Sequence, residues 1–172
     1  MTETTDDTHP IDEPAPRDLP TTHELDAPPW LRVETTLMAT AGLIRDAFDC
    51  RLRPLSLNLT QASLLSYVAE FGPVSQRKIA DHLGNGRAAT GASIDRLEQR
   101  GLVERLPDPA DRRVWLVAVT AEGARCTEAV REIDEVLRAE LRAGIDRAER
   151  QALASLMTRL QQNLRTAIRK TQ

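Results

Sequence analysis

The stretch from Val74 to Thr120, VSQRKIADHLGNGRAATGASIDRLEQRGLVERLPDPADRRVWLVAVT, constrains the fold more than any other part of the chain. Ser75 can cap the free amides of a first helical turn. Ile79, Ala80 and Leu83 then fall on one side of a short helix. Gly84-Asn85-Gly86 interrupts it, because these residues tolerate the backbone angles of a tight turn. A second helix is predicted from about Arg87 to Arg100, with Thr90, Ile94 and Leu97 as its inner stripe. Arg87, Ala88, Gly91, Ala92 and Asp95 fall on its outer side, and Gly101 stops it. Leu102–Leu106 reads as a strand, 107–113 as a proline-containing turn, and Val114–Val119 as the return strand. Two helices, a tight turn and a charged hairpin in this order outline a winged helix-turn-helix. In that motif the second helix enters the major groove of DNA.

The flanks are helical in pattern. After Pro28-Pro29, the residues Trp30, Val33, Leu37, Ala41, Ile44 and Phe48 recur every three or four positions, predicting a helix that ends near Arg53-Pro54. Asn58 and Gln61 have capping-box spacing ahead of a stripe of Leu64, Leu65, Val68 and Phe71. Thr120 caps a long helix to about Arg142, with Val130, Ile133, Leu137 and Leu141 on one face. Asp146 and Glu149 open a last helix in which Leu153, Leu156, Leu160, Leu164 and Ile168 recur almost on a heptad. The fold class is therefore mainly α with a small β-hairpin wing. The long apolar stripes of the first and last helices exceed what a small winged domain can cover, and such stripes mark an interface. A homodimer built through these helices is the simplest solution.

A formal net charge of −3 is unexpected for a DNA binder, but its distribution is uneven. Residues 1–29 hold eight acids against one base, Arg17, whereas the remainder holds 22 bases against 18 acids. DNA affinity follows the local placement of Lys and Arg rather than the total. Residues 1–27 lack periodicity and the apolar content to offset the entropy of ordering, so they are expected to form a disordered acidic tail. No apolar run approaches the ~20 residues that span a bilayer, and the polar start lacks a secretory pattern. A cytoplasmic location without membrane association is expected. Two cysteines, Cys50 and Cys126, imply no disulfide framework. No metal-ligand spacing, phosphate loop, nucleophile elbow or paired catalytic histidine is present, which disfavours an enzyme and calls for no cofactor.

The order DHLG, IDRLEQRGLVER, DPADRR and VTAEG resembles the MarR family of bacterial transcription regulators over about residues 57–125. The resemblance implies one domain over residues 28–172: a DNA-binding lobe at about 57–120 and dimerisation helices at about 29–53 and 120–170. It implies a homodimer that binds double-stranded DNA at an inverted repeat, with recognition helices about 34 Å apart, and that acts as a repressor responding to a ligand. The ligand class it implies is a small aromatic or phenolic effector, with Trp30 lining its pocket. It makes Arg113 the wing arginine and Asp111 its orienting partner, and assigns Asp95, Arg96 and Arg105 to ion pairs bracing helix and wing.

The candidate DNA contacts are then Ser75, Gln76, Arg77, Arg87, Ala88, Thr90, Gly91, Arg96, Asp111, Arg112 and Arg113. Arginines at a hairpin tip suit the negative minor groove. Arg87 suits a guanine edge, and the basic start of the first helix suits phosphate. Gly91 and Ala92 stand where polar or basic residues are usual in the family, which weakens direct base readout. Two other readings stand beside this one. A winged helix can serve as a protein-interaction module without specific DNA binding, or Cys50, next to Arg51 and Arg53, can sense oxidants together with Cys126.

Overall fold

The computed structural model describes residues 33–171. Trp30, the Pro28-Pro29 helix start and the acidic tail lie outside the described residues. The chain divides into two compact units, one ending at Asp46 and the other running from Ala47 onward.

The element order is α1 (Val33–Leu52), a 3-10 turn (Arg53–Leu55), α2 (Leu59–Phe71), β1 (Val74–Ser75), α3 (Gln76–Leu83), α4 (Arg87–Gln99), β2 (Val103–Pro107), β3 (Trp115–Val119), α5 (Ala121–Leu141) and α6 (Arg147–Thr171). The part of α1 up to Asp46 exposes Met38 and Leu43, and its Val33 and Ile44 stand near two-fifths exposed. No helix among the described residues is long and apolar enough to cross a membrane.

From Ala47 onward the core is built on α2. Leu64, Leu65 and Val68 are fully buried, and Ile79 of α3, Ile94 and Leu97 of α4, and Val103 and Val117 of the sheet close over them. Each such side chain stabilises the fold by roughly 1.5–3 kcal/mol relative to exposure. Val130 and Leu137 bring α5 onto the other side of α2. Phe71, placed by its spacing in the apolar stripe, is instead 59% exposed at the end of α2, with its ring 4.8 Å from Tyr67.

The caps follow the sequence. Asn58 accepts from the Gln61 amide while the Gln61 side chain accepts from the Asn58 amide. Asp146 and Glu149 make the same reciprocal pair. Thr120 accepts from Gly123 N–H at 3.0 Å. The sheet has three antiparallel strands in the order β1-β3-β2. Two details differ from expectation. Val74 and Ser75 form a short strand paired with Val117 and Leu116, too brief for any alternation to mark it. Pro107 is the last residue of β2, opposite Trp115, rather than part of the turn. β2 is an edge strand, where a missing N–H is tolerated.

Candidate nucleic-acid interface

α3 and α4 cross as a helix-turn-helix, and the side chains between them decide which residues face outward. Ser75 caps α3 with its hydroxyl 3.4 Å from Lys78 N. Arg77 is exposed, and its i,i+4 contact with Asp81 is 3.8 Å long between two solvated side chains. Such a pair contributes little, so Arg77 still presents a positive charge. Gln76 is half-buried and turns toward α4. Its Nε2 donates to Arg87 O at 3.0 Å and lies where a Cβ on Gly91 would sit 3.0 Å away. Gln76 and Gly91 thus form the close contact between the two helices.

On α4, Thr90 is 1% exposed and donates its hydroxyl to Gly86 O. It therefore sits behind the reading face, which corrects its place among the contacts; the 3.6-residue period puts it with Ile94 and Leu97. Arg87, Ala88, Ala92, Asp95 and Arg96 are exposed. Small side chains there leave the helix backbone near the surface. Asp95 is not a bare carboxylate, because Arg105 of β2 donates to both Asp95 and Glu98. The hydrogen bond to Asp95, helped by Glu98, holds the Arg105 guanidinium more firmly protonated than usual against the opposing cost of its burial. This bridge ties helix to wing and offsets one of the two acidic charges that would repel phosphate. Arg96 is exposed and takes no part in it.

The wing tip is shaped by two aspartates. Asp108 Oδ1 accepts from Ala110 N at 2.8 Å, and Asp111 Oδ1 accepts from Arg113 N at 3.0 Å. Val114 N donates to Asp111 O, and Asp108 N to Val114 O, both at 2.9 Å. Asp111 therefore orients Arg113 through its backbone rather than through its guanidinium. Among the described residues no ion pair engages Arg112 or Arg113, and both are exposed. Trp115, at the foot of the wing, is 55% exposed.

Residues 57–115 match the sequence model of the MarR family. The chain carries a MarR-family domain. The MarR domain is that of a DNA-binding transcription regulator, a non-enzymatic class of protein. Solved structures of transcription regulators agree with the fold. A MarR-family transcriptional regulator from Rhodococcus sp. RHA1 is 26% identical, with 74% of this chain and 91% of that one covered and a TM-score of 0.66. A probable transcriptional regulator from Pseudomonas aeruginosa is 25% identical over 74% of this chain and 96% of its own, with a TM-score of 0.69. The Bordetella bronchiseptica regulator BpsR, whose DNA binding is regulated by 6-hydroxynicotinic acid, is 24% identical over 78% and 96%, with a TM-score of 0.73.

The MarR lobe also holds a cleft that the sequence did not reveal. About 680 Å³ in volume, it lies between the end of α1, α2, α3 and α5. Phe48, Tyr67, Phe71 and His82 give it aromatic walls, and Arg131 and Asp134 stand at its polar side. The Tyr67 and His82 rings stack at 4.0 Å with 19° between their planes. His82, exposed on α3, joins α3 to α2 through this stack. Among the described residues no cluster of His, Cys, Asp or Glu could hold a metal ion.

Proposed function

We propose that the chain is a ligand-responsive repressor that binds an inverted-repeat operator as a homodimer in the cytoplasm. The carrying observation is the wing tip, where Asp111 fixes the backbone of Arg113 and no acid among the described residues pairs with Arg112 or Arg113. Two exposed guanidiniums at a hairpin tip whose backbone is fixed at Arg113 suit a phosphate-lined minor groove, while the small outer residues of α4 let its backbone approach the major groove. Arg77, Arg87 and Arg96 add charge around the helix-turn-helix, and Ser75 and Ala88 stand beside them. Gln76 and Gly91 support the reading face by packing α3 on α4, and Thr90 by anchoring α4 from behind.

Pairing of two copies through the helices at about 29–53 and 120–170 is favoured by the uncovered apolar stripe of α6. The aromatic cleft suits a small aromatic or phenolic effector. The Bordetella regulator, of the same fold, has its DNA binding regulated by a ligand of that class. An effector acts by preferring one spacing of the reading helices over another, and shifts the equilibrium only by that difference in affinity.

The test is fluorescence anisotropy on duplexes selected from a random pool by the full chain. Specific binding should weaken steeply with salt, as phosphate contacts require. Arg113→Ala should lose about tenfold in affinity and flatten the salt slope by about one. Binding no tighter than to random DNA would refute the regulator reading and favour the interaction module.

A further inference from the structure

The reading helix is anchored most firmly at its far end. Its N-cap is Gly86, which offers no side chain to the first amides. At its other end Arg100 donates from Nη1 to Ser56 O at 2.8 Å and from Nη2 to Leu55 O at 2.7 Å. Those carbonyls belong to the corner between α1 and α2. They lie at the end and cap of the 3-10 turn, where helix-end carbonyls lack intrahelical donors and attract cations. Ser56, in the left-handed region at φ 51°, is the one non-glycine residue with positive φ among the described residues. A conformation of that kind persists where its surroundings hold it.

The planar fork of a guanidinium on two successive carbonyls fixes direction as well as distance, which an ammonium would not. The same helix end is fastened to α5. Thr120 Oγ1 donates to Gly101 O at 2.6 Å, and Thr120 N donates to Leu102 O at 3.1 Å. The α1–α2 corner, the exit of α4 and the start of α5 therefore meet at one junction. Arg100 lies 13 positions along the helix from Arg87, roughly 20 Å at 1.5 Å per residue, so it acts through α4.

The geometry points to Arg100 as a positioning residue for DNA reading: its two-carbonyl clamp on the α1–α2 corner sets the angle at which each copy presents α4. This rests on the proposal that two copies read an inverted repeat. Leu55 is half-buried and Ser56 exposed, so water can replace the clamp's hydrogen bonds. Losing the clamp therefore costs little stability and releases the angle.

The experiment compares a full inverted repeat, selected by the wild-type chain, with a duplex in which one half is scrambled. Arg100→Ala and Arg100→Lys are measured on both, with thermal unfolding alongside. The expected result is half-site affinity within about twofold of wild type and full-site affinity lower by roughly tenfold, within the usual range of coupling between sites. Arg100→Lys should recover part of the loss, since it keeps the charge without the fork. Equal losses on both duplexes with a lower Tm would make Arg100 merely structural and overturn the inference, as would no change on either. If the wild type itself binds full and half sites alike, the inverted-repeat reading fails, and this inference fails with it.

Discussion

The DNA-reading lobe and the last helix use apolar residues in opposite ways. In the lobe the central stripes find their cover within the chain: Leu64, Leu65 and Val68 of α2 meet Ile79, Ile94 and Leu97 of the helix-turn-helix, all fully buried. α6 buries nothing across Arg147–Thr171. Its Leu153, Leu156, Leu164 and Ile168 stand more than half exposed at near-heptad spacing, and six bases against one acid occupy the rest of it. Nothing in helical propensity separates the two regions. The difference is that no described residue buries the α6 stripe, and an open apolar stripe of this length suits the second copy proposed above.

The largest effect should come from spoiling that stripe. Leu156→Asp combined with Leu164→Asp places two charges in the seam. Sedimentation should then show a monomer, and operator affinity should fall by ~100-fold or more, because two linked reading helices bind far better than one. The lobe should keep its cooperative unfolding. A double variant that sediments like the wild type would break the comparison, since α6 would then have no partner copy.

The lobe has a different weak point. A Cβ on Gly123 would lie 1.9 Å from Leu102 O, a backbone atom that cannot swing away. Gly123→Ala should therefore cost about 2–3 kcal/mol as an overpacked site, lowering Tm by roughly 5–10 °C. Gly42 of α1 has nothing within 4 Å of such a Cβ, and Gly42→Ala should stabilise by up to about 1 kcal/mol through helix propensity. A destabilising Gly42→Ala would show that a second copy packs closely there.

These two glycines show what the sequence held and what it hid. The helix-turn-helix, the wing, the capping boxes and the family were legible because periodicity, caps and turn residues are local, and each agreed with the next. Gly123 was visible only as part of the VTAEG motif; its reason, a carbonyl twenty-one positions earlier, is tertiary. The same holds for Arg100, whose partners are Leu55 and Ser56, and for the Tyr67–His82 stack. Thr90 was misplaced among the contacts although its own period put it inside. Gln76 stands among the expected DNA contacts because no pattern in the chain shows that Gly91 opens a space for it.

The cysteines should separate by reactivity. Cys50 is exposed on α1, whereas Cys126 is half-buried on α5. Burial pushes the Cys126 thiol up, against the opposing pull of Arg100, and thiolate is the reacting form. With a maleimide near neutral pH, Cys50 should label at least about tenfold faster, and Cys126 should gain rate only as the pH rises through its elevated range. Faster labelling of Cys126 would revive it as a redox sensor. Slow labelling of both would place the end of α1 in an interface.

The smallest effect is also the most local. Alanine is favoured over glycine inside a helix by about 1 kcal/mol, so Gly91→Ala on α4 is expected to stabilise if the residue merely faces solvent. Here the new methyl would meet the Gln76 amide 3.0 Å away and displace it from Arg87 O. A typical hydrogen bond contributes about 0.5–1.5 kcal/mol, so gain and loss nearly cancel, and Gly91→Ala alone should be close to neutral in urea unfolding. With Gln76→Ala already in place there is nothing to displace, and the same change should recover its full gain. The double-mutant cycle should show a coupling of about 1 kcal/mol. Additive effects would mean that Gln76 does not hold α3 against α4. Its role would then revert to the phosphate contact expected from its place in the first turn of α3, and loss of salt-dependent affinity in Gln76→Ala would identify it.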